Sequence, residues 1–332
     1  MSDSVLCQCL MSRRMFSKYI LPILLMIVTG PVLAQEKLVE KIEVFPPSVQ
    51  LDSSRDFQSI VVQATRNDGV TEDVTIPAKM AFKHSEFAGL ERVESDAGTS
   101  VRLLPKLDGD TVLVVSYGGQ QVELPVRVRS AATEPPLSFR MDVMPVFARA
   151  GCNMGSCHGA ARGKDGFRLS LFGFDPAGDY HRLTREMPGR RINLANPAGS
   201  LLVKKAMGEV PHTGGKRFEK DSELADRLIR WITAGAKDDL KAGKEIPKLL
   251  AVDLYPPTSL LEGDHATQQL VAVARFSDGT DRDVTDLVWY GSNNDSSVAI
   301  NASGNAASGQ RGESFVMARY DTITVGVPIV VI

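Results

Sequence analysis

Two cysteines and a histidine stand together in Gly151-Cys152-Asn153-Met154-Gly155-Ser156-Cys157-His158-Gly159. A thiol pair followed at once by an imidazole is how a c-type haem is attached, in the shorter form C-x-x-C-H. The spacing in this chain is C-x-x-x-x-C-H, two residues longer. The chemistry needs both thiols near the two vinyl groups of one porphyrin, with the imidazole reaching the iron from the same side. Gly155 and Gly159 let the backbone lie against a flat ring, and the extra residues can bulge outward. Two other outcomes use the same residues: a zinc site completed by His181 or His212, and a disulfide beside a surface histidine. No second cysteine pair follows in the chain, which argues against the usual zinc arrangements.

With haem in place, His158 is the proximal ligand and a second ligand must come from downstream. His212 lies in a glycine-rich stretch, Pro211-His212-Thr213-Gly214-Gly215, suited to close approach to a ring. Met207 and His181 are the alternatives, and an open position is a third. Methionine ligation raises a haem reduction potential and paired histidines lower it. Arg190 and Arg191 are candidate partners of the propionates, or else a solvated basic loop. Trp231 and Phe147 read as packing, and His84 and His265 as surface residues. No Ser/His/Asp set, phosphate loop or paired carboxylates stand in a usable context. No catalytic residue is assigned, and a binding or electron-transfer role is expected rather than an enzyme.

These residues sit in a chain of 332 residues, 43% hydrophobic, with formal net charge −2. That length suits two or three domains. The absence of a strong basic excess excludes a nucleic-acid partner of the usual kind. At the N-terminus, Arg13, Arg14 and Lys18 precede an apolar run from Tyr19 to Leu33 that Pro22, Gly30 and Pro31 interrupt. This reads as a signal peptide over residues 1–34, cut before Gln35, for twin-arginine or general secretory export. An uncleaved anchor is the alternative, and Met11 is an alternative start. Export places the chain in the periplasm or at the cell surface. Cys7 and Cys9 leave with the signal, so Cys152 and Cys157 are the only mature cysteines, too few for a disulfide-stapled fold. Between Ser138 and Asp239 there are 17 Lys/Arg and 12 Asp/Glu, so the middle is basic and its flanks acidic.

Residues 37–130 alternate like short strands, with turn signals at Pro46-Pro47, Asn67-Asp68-Gly69 and Gly118-Gly119. The last third repeats them. Val44-Phe45-Pro46-Pro47 matches Leu254-Tyr255-Pro256-Pro257, Asp68-Gly69 matches Asp278-Gly279, and Asp73-Val74-Thr75 matches Asp283-Val284-Thr285. All three pairs share one offset, and the closing strands, Leu124-Pro125-Val126 and Val327-Pro328-Ile329, match at an offset seven residues shorter. On the Val-x-Pro-Pro opening, the Ala-x-x-x-Asp-Gly core and the closing strand, both copies (37–130 and 250–332) resemble the group 2 bacterial immunoglobulin-like domain. That resemblance implies a small sandwich used for adhesion or spacing.

Between them, after a Pro-rich linker, residues 138–239 read as helix, cysteine motif, loops, short helix and last helix. Asp142 caps the first helix and Gly151 ends it. Leu224, Leu228, Trp231 and Ile232 form the stripe of the last, which starts at Asp221 or Ser222 and stops at Gly235. The run Ala150-Gly151-Cys152-Asn153, with Gly155, Cys157-His158-Gly159, Gly163-Lys164, Gly166-Phe167-Arg168-Leu169-Ser170-Leu171, Gly189-Arg190-Arg191-Ile192, Pro211-His212, Gly214-Gly215 and Trp231-Ile232, resembles the planctomycete-type cytochrome c domain. The resemblance covers about 100 residues. It implies one covalent haem c and a place at the front of longer exported proteins. Their further domains do not appear in this chain, which is then a short member or a truncated one.

The expected fold class is therefore multidomain: an all-β sandwich, a mainly α cytochrome c-like domain and a second all-β sandwich. The expected function is an exported haem-binding, electron-transfer or redox-sensing module carried on spacers, with a redox partner protein and other envelope proteins as partners. The alternative is a non-enzymatic surface or adhesion protein whose middle segment is a haem-less relative of a cytochrome.

Overall fold

The computed structural model describes residues 38–95, 98–187, 189–239 and 246–332. The signal peptide assigned to residues 1–34, with Cys7 and Cys9, lies outside them. The described residues belong to one unit.

In the first copy the opening strand, Val39–Phe45, pairs antiparallel with Gln58–Arg66. That strand continues onto Gly98–Pro105, which pairs with Ala88–Ser95. A second sheet joins Val49–Leu51, parallel, to Gln120–Val128, and then runs through Gly109–Tyr117 to Lys79–Phe82. Alternating residues such as Val112, Leu113 and Val115 fit this arrangement because successive side chains point to opposite faces. The inward set, including Leu51, Ile60, Leu103, Leu113 and Leu124, forms a core of its own.

The second copy repeats the pairing to the residue. Val44 faces Val62, and Leu254 faces Ala272. A bulge falls between Val39 and Lys41 and again between Leu249 and Ala251. The parallel pairs are Val49 with Val126 and Ser259 with Ile329. Gly69 and Gly279 both turn their hairpins at φ +84°, and the bonds before Pro46 and Pro256 are both cis. The Asp-Val-Thr motif has a local use in each copy. Thr75 Oγ1 accepts from Val62 N–H at 2.9 Å and Thr285 Oγ1 accepts from Ala272 N–H at 3.0 Å. Asp73 Oδ1 and Asp283 Oδ1 accept from the backbone N–H of Thr75 and Thr285, at 3.0 and 2.8 Å.

The other oxygen of each aspartate crosses to the opposite copy. Asp73 Oδ2 accepts from Gln269 N–H at 2.9 Å, and Asp283 Oδ2 accepts from Ser59 N–H at 2.6 Å. Ser59 and Gln269 occupy the same place in the repeat, so the two bonds are reciprocal. Between them Phe45 stacks on Tyr255 at 5.7 Å, and Val61 packs with Val271 and Val273. Gln63 Nε2 donates to Gln268 Oε1 at 3.1 Å. The two sandwiches thus meet as an internal pair about a pseudo-two-fold axis, the isologous geometry of a symmetric dimer.

The mainly α cytochrome c-like domain is not there, and the expected fold class is corrected on this point. Among the described residues the chain has nineteen strands. Its α-helices are short: α1 Met144–Arg149, α2 Pro176–Thr184, α3 Leu201–Ala206 and α4 Glu223–Thr233. Local chemistry keeps them so. A π-helical turn, Phe139–Val143, precedes α1, and Gly151 ends it at φ +71°. Asp175 caps α2 through Gly178 N–H, and Ser222 caps α4 through Ala225 N–H. Helices of two or three turns cannot bury a core alone. Phe139, Tyr180 and Trp231 meet at 5.2 and 5.3 Å, and this cluster runs without a break into Leu254, Val288 and Val316 of the second sandwich. The middle segment is a helical elaboration of that sandwich's core.

Candidate functional site

The cysteine motif forms a tight loop at the end of α1. Cys152 N–H donates to Phe147 O at 2.8 Å and His158 N–H to Cys152 O at 3.0 Å. Gly159 is required: a Cβ there would stand 2.1 Å from Asn153 O. Leu169 N–H bonds His158 O at 2.8 Å and ties the following segment to the loop. Cys152 and Cys157 are both free thiols in this structure. Burial pushes the Cys152 thiol up to about 12. Arg217 Nη2 donates to the Cys157 sulfur at 3.3 Å.

His158 and His212 are brought together across 54 positions of sequence. Their rings are parallel within 10° and their centroids are 6.1 Å apart. Each Nδ1 is tied to a backbone carbonyl at 3.0 Å, His158 to Phe167 and His212 to Gly215. With Nδ1–H donating, Nε2 carries the free lone pair in both rings, which is the tautomer of an Nε2 metal ligand. Desolvation lowers the His158 pKa and so keeps the imidazole neutral. Both rings line a cavity of about 310 Å³ with Phe147, Leu169, Leu202 and Leu228 as apolar walls. Its basic rim includes Lys164, Arg190 and Lys205.

The remaining assigned residues fall as follows. Met207 is buried in the core at the end of α3, so His212 and not Met207 faces His158. His181 lies on the exposed side of α2. Arg190 is exposed at the cavity rim. Arg191 is buried: it donates to Arg182 O at 2.8 Å and Glu186 O at 2.6 Å, and stacks on Phe167 at 4.5 Å. Those bonds hold the loop before α3 in place. The run Arg182 to Arg191 gave no hint of them, because the acceptors are main-chain carbonyls.

The expectation of an iron- or metal-binding electron-transfer domain of the cytochrome c kind is corrected. Its helical frame is absent, and among the described residues no three His, Cys, Asp or Glu side chains gather to hold a metal ion. The zinc alternative falls with it. What stands is a two-imidazole cavity beside two thiols.

No family model matches this chain, and no curated protein matches it. Among solved structures, a fragment of the S-layer protein SbsC with domains 4 and 5 is 20% identical, at a TM-score of 0.24, covering 28% of this chain and 54% of that one. This chain thus spans about half of that fragment's length. SbsC domains 5-6 are 12% identical at a TM-score of 0.33, covering 89% of this chain and 98% of that one. InvD of Yersinia pseudotuberculosis is 8% identical at a TM-score of 0.19, covering 88% and 56%. At these identities and scores, none of the likenesses bears on what this chain does.

Proposed function

We propose that the chain is a non-enzymatic protein of the cell envelope, exported to the surface, in which the paired sandwiches serve as a stiff spacer and contact surface. The observation that supports this is the reciprocal joint: Asp73 to Gln269 and Asp283 to Ser59, with Phe45 on Tyr255 between them. Two tandem sandwiches joined only by a flexible linker would swing independently, whereas this joint fixes one angle. The export-type N-terminus is the support for location. Other envelope proteins are its partners in this reading. Labelling intact cells with a membrane-impermeant amine reagent tests it. Modified Lys41 or Lys83 is expected, and recovery of unlabelled protein from the cytoplasm alone overturns it.

A second reading rests on the paired imidazoles: the cavity takes one covalent haem c. A haem brings four nitrogen ligands of its own and asks the protein for two. Cys152 and Cys157 would carry the thioether links, and His158 and His212 would hold the iron. Lys164, Arg190 and Lys205, which line the cavity, would meet the propionates. Only this reading calls for a redox partner protein. Co-expression with a c-type maturation system is expected to give a pigment that survives acid-acetone extraction and is lost in Cys152→Ala/Cys157→Ala. His212→Ala should shift its spectrum. Colourless protein from the same system rejects the reading.

A further inference from the structure

The second sandwich exposes an apolar sheet face that the first does not. Its strand Gly312–Tyr320 lies between Trp289–Ser292 and Ile323–Val331. Alternation turns Glu313, Phe315, Met317 and Arg319 of the middle strand outward. Register sets Glu313 beside Val330, Phe315 beside Pro328 and Arg319 beside Trp289. Phe315 is 46% exposed and Trp289 is 42% exposed. The indole lies over Gly291 of its own strand, where a Cβ would stand 2.5 Å from the ring. Gly291 pairs with Met317, so Trp289, Met317 and Phe315 follow one another across the face.

The same positions of the first sandwich are charged. Lys79 stands in the place of Trp289, Arg127 in that of Val330 and Glu123 in that of Gly326. Arg127 pairs with Asp110 at 3.2 Å, and Glu123 with Lys83 at 2.7 Å. Val112 and Val114 stay apolar in the middle strand, and these ion pairs flank them. The second copy has lost the flanking pairs and gained two exposed aromatic rings. Large apolar side chains gathered on one exposed face mark a contact surface.

The charges that remain say what covers it. Glu313 and Arg319 stand at opposite ends of the exposed row, about 20 Å apart at the usual rise per residue. Neither is paired with an opposite charge among the described residues. Arg319 stacks on Phe172 at 3.9 Å and donates through Nε to Asp321 O at 3.4 Å. A second copy laid face to face, its strands running the other way, brings Glu313 of each copy to Arg319 of the other. Phe315 of each then meets Met317 of the other at the centre. Two sheets pack in this manner with their strands nearly aligned, and a two-fold interface repeats each contact.

We infer that this face is the interface of a two-fold homodimer, in which the second sandwiches of two chains pack sheet on sheet. The inference goes beyond the spacer reading and does not need it. None of these residues belongs to the joint between the sandwiches or lines the imidazole cavity.

Sedimentation velocity of the full chain over a concentration series tests it. A reversible dimer is expected at micromolar concentrations. Trp289→Lys/Val330→Arg carries the residues that the first copy has at these places, so the fold is kept. It should weaken the dimer at least about tenfold, as loss of a central aromatic contact does. Glu313→Arg should weaken it comparably by setting like charges against each other, and Glu313→Arg/Arg319→Glu should restore it. A native chain that is monomeric throughout the micromolar range overturns the inference. So does a dimer indifferent to Trp289→Lys/Val330→Arg, or a reversed pair that fails to restore what Glu313→Arg removes.

Discussion

The two sandwiches share one strand register and differ in what completes them. The first closes its core with its own residues, Leu103, Leu113 and Leu124 among them. The second shares its core with α1 to α4, so that Leu228 and Trp231 belong to the same cluster as Leu254 and Val316. One repeat is a finished unit and its copy is a platform. Register is set by alternation and turn chemistry and survives duplication. What a sheet face packs against is set by a few outward residues and is free to diverge.

Core truncations should break that comparison most strongly. Leu113→Ala and Leu228→Ala each remove a fully buried side chain, at a cost of about 3 kcal/mol. Hydrogen exchange should show Leu113→Ala loosening the first sandwich alone. Leu228→Ala should loosen Phe139 to Thr233 together with the second sandwich. Loosening confined to α4 in the second variant would show the shared core to be energetically separate.

The joint should give the next largest effect. Asp73→Ala or Asp283→Ala leaves a backbone N–H unpaired across the interface, at about 2 kcal/mol each. Because both bonds hold the same surfaces together, the double variant should lose less than the sum of the two. Strict additivity in calorimetric unfolding would mean that the bonds act independently and that the symmetry carries no cooperativity.

The comparison also carries a pH dependence. Burial raises Asp56 from the ordinary 3.8 to about 6. Between those values the folded chain keeps a proton that the unfolded chain has lost. Stability from this group therefore falls as pH rises from 3.8 to about 6 and is level above that. Burial raises Asp73 and Asp283 in the same direction. Asp56→Asn should flatten the slope of melting temperature across this window, and an unchanged slope would assign it to the two joint aspartates.

Much of this was open to reading from residues alone. The repeat at a constant offset was visible because Pro-Pro, Asp-Gly and Asp-Val-Thr are local turn chemistry, and local chemistry survives in sequence. The Cys-x4-Cys-His stretch was visible for the same reason, and His212 stood out through its glycine neighbours. Gly214 has a reason in the structure: a Cβ there would come within 2.8 Å of the His212 ring. The size of the middle domain was misjudged. Short helical stripes look alike whether they face one another or a sheet, and only the packing partner tells them apart. Arg191 was misread because its partners are carbonyls of the preceding loop.

The sequence by itself determined the strands, their register, the turns and the thiol–imidazole motif, since each depends on residues within a few positions of one another. The tertiary structure alone decided three further things: that Asp73 reaches Gln269 across 196 positions, that His158 meets His212 with their rings parallel, and that the buried Asn153 amide is left unpaired. Burial supplies the reason. Away from water a polar group is worth what its partner makes of it, and that partner is chosen by the fold.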